Sequence, residues 1–206
     1  MLITISRQYA AGSSEVAGVV ADALGWRTVD NAFVEEVARR AGVSPEEVAR
    51  LDERAPSFLE RLARSTSMQF PELFVPAAGT IDVFEETKLL KITRGLVKEL
   101  ASEGRSVLVG RAAAAVLEGN PGALHVRLVA SRAFRLRQAI ERLGIPADDA
   151  GDRLHEIDGN RKRYHHEYYE RDWDDATLYD MVLNTERLGF EGAADVIVAR
   201  ARGLGW

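Results

Sequence analysis

Ile3-Thr4-Ile5-Ser6-Arg7-Gln8-Tyr9-Ala10-Ala11-Gly12-Ser13-Ser14 is the stretch on which the fold turns. A short β-branched run, Ile3 to Ile5, leads into a loop of small residues. Val16, Val19, Val20, Ala23 and Leu24 follow at helical spacing, Gly25 supplies a stop, and a second short run ends at Thr28-Val29-Asp30. The unit predicted is strand, loop, helix, strand. Small residues let backbone N–H groups approach an anion, and the helix behind them adds free N–H groups and the positive end of its dipole. The spacing matches the end of a Gly-x-x-x-x-Gly-Lys-Ser/Thr phosphate loop, with Gly12 as second glycine and Ser14 as the magnesium-side hydroxyl. It departs twice, because Arg7 stands at the first glycine and Ser13 at the lysine. A Gly/Ser helix cap after an edge strand accounts for the same residues.

The 206 residues suit one domain with a sizeable core, and 46% hydrophobic with 29% charged residues is ordinary for a globular chain. A net charge of −5 gives no global electrostatic case for nucleic acid. The absence of cysteine removes disulfides, thiol catalysis and cysteine zinc sites together. No segment approaches membrane-spanning length, so a reduced cytoplasmic location without membrane partners is expected.

Beyond Asp30 the sequence predicts a helix over Phe33 to Ala41 closed by Gly42, and a capping box at Ser44-Pro45-Glu46-Glu47. Prolines break the stretch Arg54 to Thr80, which reads as a short helix from Ser57 and an apolar excursion, Met68 to Val75. That excursion packs on its own domain, covers substrate or forms a homo-oligomer contact. A long helix runs from Asp82 to Gly104. Val107-Leu108-Val109 and Leu124 to Val129 read as strands, a short helix lies over Ala112 to Leu117, and Ser131 caps a helix stopped by Gly144. Pro146-Ala147 opens a long polar helix, Met181 to Asn184 is a last strand, and a final helix holds Phe190, Ala193, Ala194, Ile197 and Val198 inside.

Short apolar strands alternating with helices predict an α/β fold, a parallel sheet with helices on both faces. Ligands bind such sheets beyond the carboxyl ends of the strands. Four loops are expected to meet there: Ser6 to Ser14, Asp30, Gly110-Arg111 and Ser131-Arg132. Arg111 directly follows an apolar strand, a position that suits an anion ligand. Asp30 either orients a magnesium-bound water or substrate hydroxyl, or caps the next helix. Arg127 to Arg163 hold nine Lys or Arg against six Asp or Glu. An arginine-bearing helix pair over a crevice suits phosphoryl transfer, which is mostly positioning and charge neutralisation, although a solvated face of ion pairs has the same composition. Asp158 and Arg161 fall on adjacent turns and either pair with each other or serve a site. Tyr164, Tyr168, Tyr169 and Trp173 either stack a base or bury their rings. His165 and His166 are adjacent, which is not helical metal-ligand spacing.

These positions together resemble the cytidylate kinase-like family, a branch of the P-loop nucleoside monophosphate kinases. The resemblance rests on Ile3 to Arg7 with Gly12 and Glu15, Asp30-Asn31, Val107 to Arg111, Asp158 to Tyr169, Tyr179 to Thr185, and Leu188 to Ala193. It implies a P-loop NTPase-type sheet in a single domain over 1–206, with a helical lid near 145–175. It further implies transfer of the terminal phosphoryl of ATP, with Mg2+, to a nucleoside monophosphate, CMP or dCMP foremost. Arg111 and Arg161 match the arginines that hold the acceptor phosphate, and Asp158 matches the aspartate at the acceptor sugar. The turn Gly12, Ser13 and Ser14 would receive the donor phosphates, Ser14 facing the metal, while Arg7 either reaches the same phosphates from the other side of the loop or pairs with an acidic neighbour on the surface. Arg153 and Arg163 are lid-side candidates for the transferring group.

Three features depart from the family's pattern: Ala112 stands where an aspartate helps read cytosine, Glu35 and Glu36 occupy the neighbourhood where an arginine is expected, and Ser13 replaces the loop lysine. Two other readings therefore stand beside the first. One is a catalytically weak nucleotide-binding regulatory protein with a degenerate P-loop, and the other is a kinase of a different small metabolite.

Overall fold

A six-residue strand, β1 (Leu2–Arg7), forms the middle of the sheet. Its side chains alternate: Ile3 and Ile5 pack on one face of the sheet, while Leu2 and Thr4 belong to the other. The computed structural model describes residues 1–46, 48 and 83–206. The helix anticipated from Ser57 and the Met68–Val75 excursion lie outside the described residues.

Helix α1 (Ser13–Leu24) follows the loop, ends at left-handed Gly25, and leads to β2 (Arg27–Val29) and α2 (Asn31–Ala41), which Gly42 closes. Helix α3 (Val83–Glu103) precedes β3 (Ser106–Val109), and the single-turn helix α4 (Ala113–Val116) precedes β4 (Ala123–Val129). The paired helices α5 (Arg132–Glu141) and α6 (Ala147–Tyr169) then lead to β5 (Met181–Asn184) and α7 (Thr185–Gly203).

Among the described residues the strands form one sheet in the order β2-β3-β1-β4-β5, with every pair parallel. Ile3 lies beside Val107 of β3 and Leu124 of β4. Helices cover both faces, as the alternation of strands and helices requires. Val16, Val20, Ala194 and Ile197 of α1 and α7 bury against Ile3, Ile5, Val107 and Val126. On the other face Phe33, Val37, Val97 and Leu100 of α2 and α3 pack on Leu2 and Leu108. The final helix is not continuous. Gly189, at φ 71° and ψ 169°, kinks it and turns Phe190 toward the loop after β1.

Strand β4 explains why the crevice is polar. Leu124, Val126 and Leu128 enter the α1/α7 core, so the intervening His125 and Arg127 face the opposite side, where Thr4 and Ser6 of β1 also lie. Arg127, only 3% exposed, is enclosed by aromatic rings. Its guanidinium lies 4.1 Å from the Trp173 ring centroid and 5.4 Å from that of Tyr179, donates to the Trp173 carbonyl, and pairs with Asp174.

Candidate active site

The loop after β1 is shaped to leave donors unpaired. Gly12 sits at the N-cap of α1 with φ 81°, and no side chain caps the helix. The first intrahelical donor is the Val16 N–H, to the Gly12 carbonyl at 3.1 Å, so the N–H groups of Ser13, Ser14 and Glu15 lack an intrahelical acceptor. A Cβ on Gly12 would lie 2.6 Å from Phe190 Cζ, so glycine is required there by close approach as well as by backbone angle. The loop is braced from both sides. Gln8 donates its N–H to the Leu128 carbonyl at 3.0 Å and accepts the Ala130 N–H through Oε1 at 3.1 Å.

The other brace comes from α6. The Tyr9 N–H donates to Asp158 Oδ1 at 2.7 Å, and Arg161 Nη1 donates to the Arg7 carbonyl at 3.0 Å. Arg135 of α5, 8% exposed, bonds Asp158 Oδ2 at 2.6 Å and the Tyr9 carbonyl at 3.2 Å. The anticipated Asp158–Arg161 pair is long, 3.8 Å. Asp158 is therefore engaged by the loop and Arg135, and it lines neither of the two clefts described next.

One cleft, about 260 Å3, follows the loop from Arg7 through Gly12, Ser13 and Ser14. Gln138 and Arg142 of the α5 end form its far wall, and Arg142 is held by Glu15 at 3.0 Å. A second cleft, about 200 Å3, lies beyond the ends of β1, β2 and β3. Arg7, Asp30, Arg111 and Arg161 supply its charges, with Ser6 and Thr4 at its base and Tyr164 and Trp173 as apolar walls. Arg7 and Arg161 line both clefts.

Arg111 and Ala112 are consecutive left-handed residues, with φ 59° and 48°. This backbone carries the chain sharply off β3, and the Arg111 guanidinium lies 5.6 Å from the Phe33 ring centroid. Asp30 occupies the N-cap of α2 without a side-chain capping bond, leaving its carboxylate at the cleft wall. Ser14 in the loop cleft and Asp30 in the second cleft each offer a hard oxygen of the kind magnesium accepts. Among the described residues no three His, Asp or Glu side chains are grouped to hold a metal ion.

One expectation needs correction, and the structure places several other residues. Ser131 and Arg132 do not join the crevice: the Ser131 hydroxyl accepts the Phe134 N–H as the α5 cap, its own N–H donates to Glu186, and neither residue lines either cleft. Arg153 is half-buried and paired with Glu156 at 3.2 Å, and Arg163 donates to Asn160; both lie outside the two clefts. Glu36, near the position where an arginine was expected, binds Arg39 and Arg40, whose guanidiniums hold its carboxyl down at about 2. Tyr168 and Tyr169 pack around Tyr164, with Tyr164 and Tyr168 centroids 5.0 Å apart, so burial of these rings outweighs open stacking.

Arg127, Arg135, Gln138 and Arg142 were not singled out individually by sequence reasoning. For Arg127 a signal was present, a charge inside the apolar run Leu124 to Val129. Ser6 likewise emerges as an anchor, accepting from Trp173 Nε1 at 2.9 Å and from the Tyr179 hydroxyl at 3.3 Å.

The sequence profile of the cytidylate kinase-like family matches residues 2–187. The cytidylate kinase of Methanocaldococcus jannaschii is 24% identical over 200 residues, covering 96% of this chain and 95% of its own. That of Thermoplasma volcanium is 26% identical over 201 residues, covering 97% and 90%. A structure of an uncharacterized protein from Eubacterium ventriosum superposes with a TM-score of 0.64 at 20% identity, covering 97% of both chains. The shikimate kinase of Acinetobacter baumannii, solved with shikimate, gives 0.51 at 13% identity, covering 98% of this chain and 92% of its own. These likenesses show the fold, a five-stranded parallel sheet with helices similar to that of the shikimate kinase.

Proposed function

The chain belongs to the cytidylate kinase-like family, and from that premise we propose that it moves the terminal phosphoryl of ATP to a nucleoside monophosphate, with CMP or dCMP as acceptor. The observation that carries the proposal is the meeting of two clefts at two guanidiniums, Arg7 and Arg161. One cleft is lined by N–H donors and suits a polyphosphate; the other is lined by arginines and suits a smaller anion. Transfer between them needs little covalent chemistry from the protein, because the acceptor oxygen is already anionic and no general base is required.

In this reading the α1 N-terminus and Ser13 hold the donor phosphates. Arg111 and Arg161 hold the acceptor phosphate, and Asp30 faces the acceptor or the metal shell. Magnesium bound with ATP supplies charge neutralisation on the donor, with Ser14 as the hydroxyl that would hold it. Asp158 acts through the loop it braces, which differs from the sugar contact that family resemblance implies. Cytoplasmic location and a substrate rather than a nucleic-acid partner accompany the proposal.

The test is ADP release from ATP and magnesium across CMP, dCMP, UMP, AMP, GMP and shikimate, with Arg111→Ala alongside. Turnover is expected with a pyrimidine monophosphate. The variant should lose about 30-fold to 1,000-fold in kcat/KM, as for an unpaired charged contact of about 2–4 kcal/mol. Turnover with shikimate alone would establish a different acceptor class. Silence with all acceptors, while ATP still binds, would favour the second reading, a nucleotide-binding protein without turnover, whose support is Ser13 in place of lysine.

A further inference from the structure

Two departures from the phosphate-loop pattern line the same cleft. Position 7, a glycine in the pattern, carries an arginine, and position 13, a lysine in the pattern, carries a serine. The glycine has a counterpart across the sheet. Gly110 follows β3 with φ 80°, and its N–H donates to the Ile5 carbonyl at 3.0 Å. A Cβ there would overlap Arg7 Nη1 and lie 3.1 Å from Arg7 Cζ. The guanidinium thus rests on the bare face of Gly110, while Arg161 Nη1 fixes the Arg7 carbonyl at 3.0 Å. From this seat Arg7 lines both the loop cleft and the arginine cleft.

We infer that Arg7, seated on Gly110, performs the task of the missing loop lysine, contacting the terminal donor phosphates from the opposite side of the loop at the junction of the two clefts. This inference rests on the phosphotransfer reading for its catalytic consequence, though not for its binding consequence. A guanidinium presents a planar fork of donors and can bridge oxygens of two phosphoryl groups, where an ammonium acts as a point charge. Arginine at position 7 and glycine at position 110 form one device: the side chain supplies the charge, and the absent side chain supplies the space. Serine at position 13 is then compatible with turnover, because the charge enters from β1 rather than from α1.

The experiment compares the full-length protein with Arg7→Ala, Arg7→Lys and Gly110→Ala, measuring calorimetric affinity for ATP, ADP and AMP with magnesium, and kcat with the preferred acceptor. Arg7→Ala is expected to weaken ATP at least tenfold, ADP less, and AMP less than twofold, and to lower kcat at least a hundredfold. Arg7→Lys should fall between. Gly110→Ala should reproduce the ATP-selective loss while keeping the charge, because its Cβ displaces the guanidinium. Arg7→Ala also keeps the proposal testable if Gly110→Ala does not fold. Equal weakening of all three nucleotides, or none, overturns the inference. A wild type that turns over while Arg7→Ala turns over equally well also overturns it and leaves phosphotransfer standing. A silent wild type with the ATP-selective loss sustains the role of Arg7 and overturns phosphotransfer.

Discussion

The two clefts are built from different material. The loop cleft is mostly backbone, one continuous segment from Arg7 to Glu15 whose N–H groups are its chemistry. The arginine cleft is mostly side chain, gathered from β1, the ends of β2 and β3, and α6. Backbone donors stay in place only if the whole loop is held, so their upkeep falls on residues that touch no ligand. Side-chain donors can be removed singly, and their loss should appear in acceptor kinetics while the fold persists. The difference separates residues that shape the site from residues that line it.

Asp158 gives the largest expected effect and the hardest test of that separation. It receives the Tyr9 N–H and the nearly buried Arg135 guanidinium. Replacing it by alanine leaves a buried charge without its carboxylate, a change that costs about 3–5 kcal/mol. For a chain of this length the melting temperature should fall by roughly 6–20 °C. Asp158→Asn, which keeps an acceptor for one of the two donors, should lose less. If Asp158→Ala melts within a degree or two of wild type and only the acceptor KM rises, Asp158 belongs to the lining and the comparison breaks.

Gly12 sharpens the backbone half. An alanine there takes a left-handed conformation at about 1–2 kcal/mol and meets the Phe190 ring, with overpacking adding about 1–3 kcal/mol. Thermal or urea denaturation should therefore show a loss of about 2–5 kcal/mol, accompanied by weaker ATP binding. The double variant Gly12→Ala with Phe190→Ala should be less destabilised than the sum of the two singles, because the clash is then gone. Strict additivity would mean that Phe190 does not press on the loop.

How much of this was legible follows the same division. Ile3 to Asp30 could be read from the sequence because its signals are local: a β-branched run, small loop residues, an amphipathic period and Gly25. Arg111 was legible because it directly follows an all-apolar strand. The Tyr9–Asp158–Arg135 brace was not, since it joins residues 149 and 126 positions apart and no local pattern encodes such a contact. Arg153 and Arg163 shared the charge pattern of α6 with Arg161, yet helical periodicity points only Arg161 at the loop. Ser131 failed as a cleft residue because capping α5 uses its hydroxyl, a competing role that the sequence also permits.

The smallest expected effect tests the floor beneath the side-chain cleft. His125 lies next to Thr4, one of the residues at the base of that cleft, with Nδ1 2.8 Å from the Thr4 hydroxyl and Nε2 3.3 Å from the Leu117 carbonyl. The network suits a neutral ring that donates from Nε2 and accepts at Nδ1. Burial pushes its pKa below the ordinary histidine value, only partly opposed by the Leu117 carbonyl and the charges of Asp180 and Glu118. The unfolded chain therefore takes up this proton at a higher pH than the folded one. Its contribution is fully present above the unfolded value, near 6.5, and is lost as pH falls toward and through the lowered folded value. Each unit of depression corresponds to about 1.4 kcal/mol. Urea denaturation at pH 7.5, 6.5 and 5.5 should show wild type losing more stability on acidification than His125→Gln, with the gap opening below pH 6.5. Parallel profiles would mean that the ring is protonated in the folded state as readily as in the unfolded one, and that the sheet beneath the arginine cleft is wetter than its packing implies.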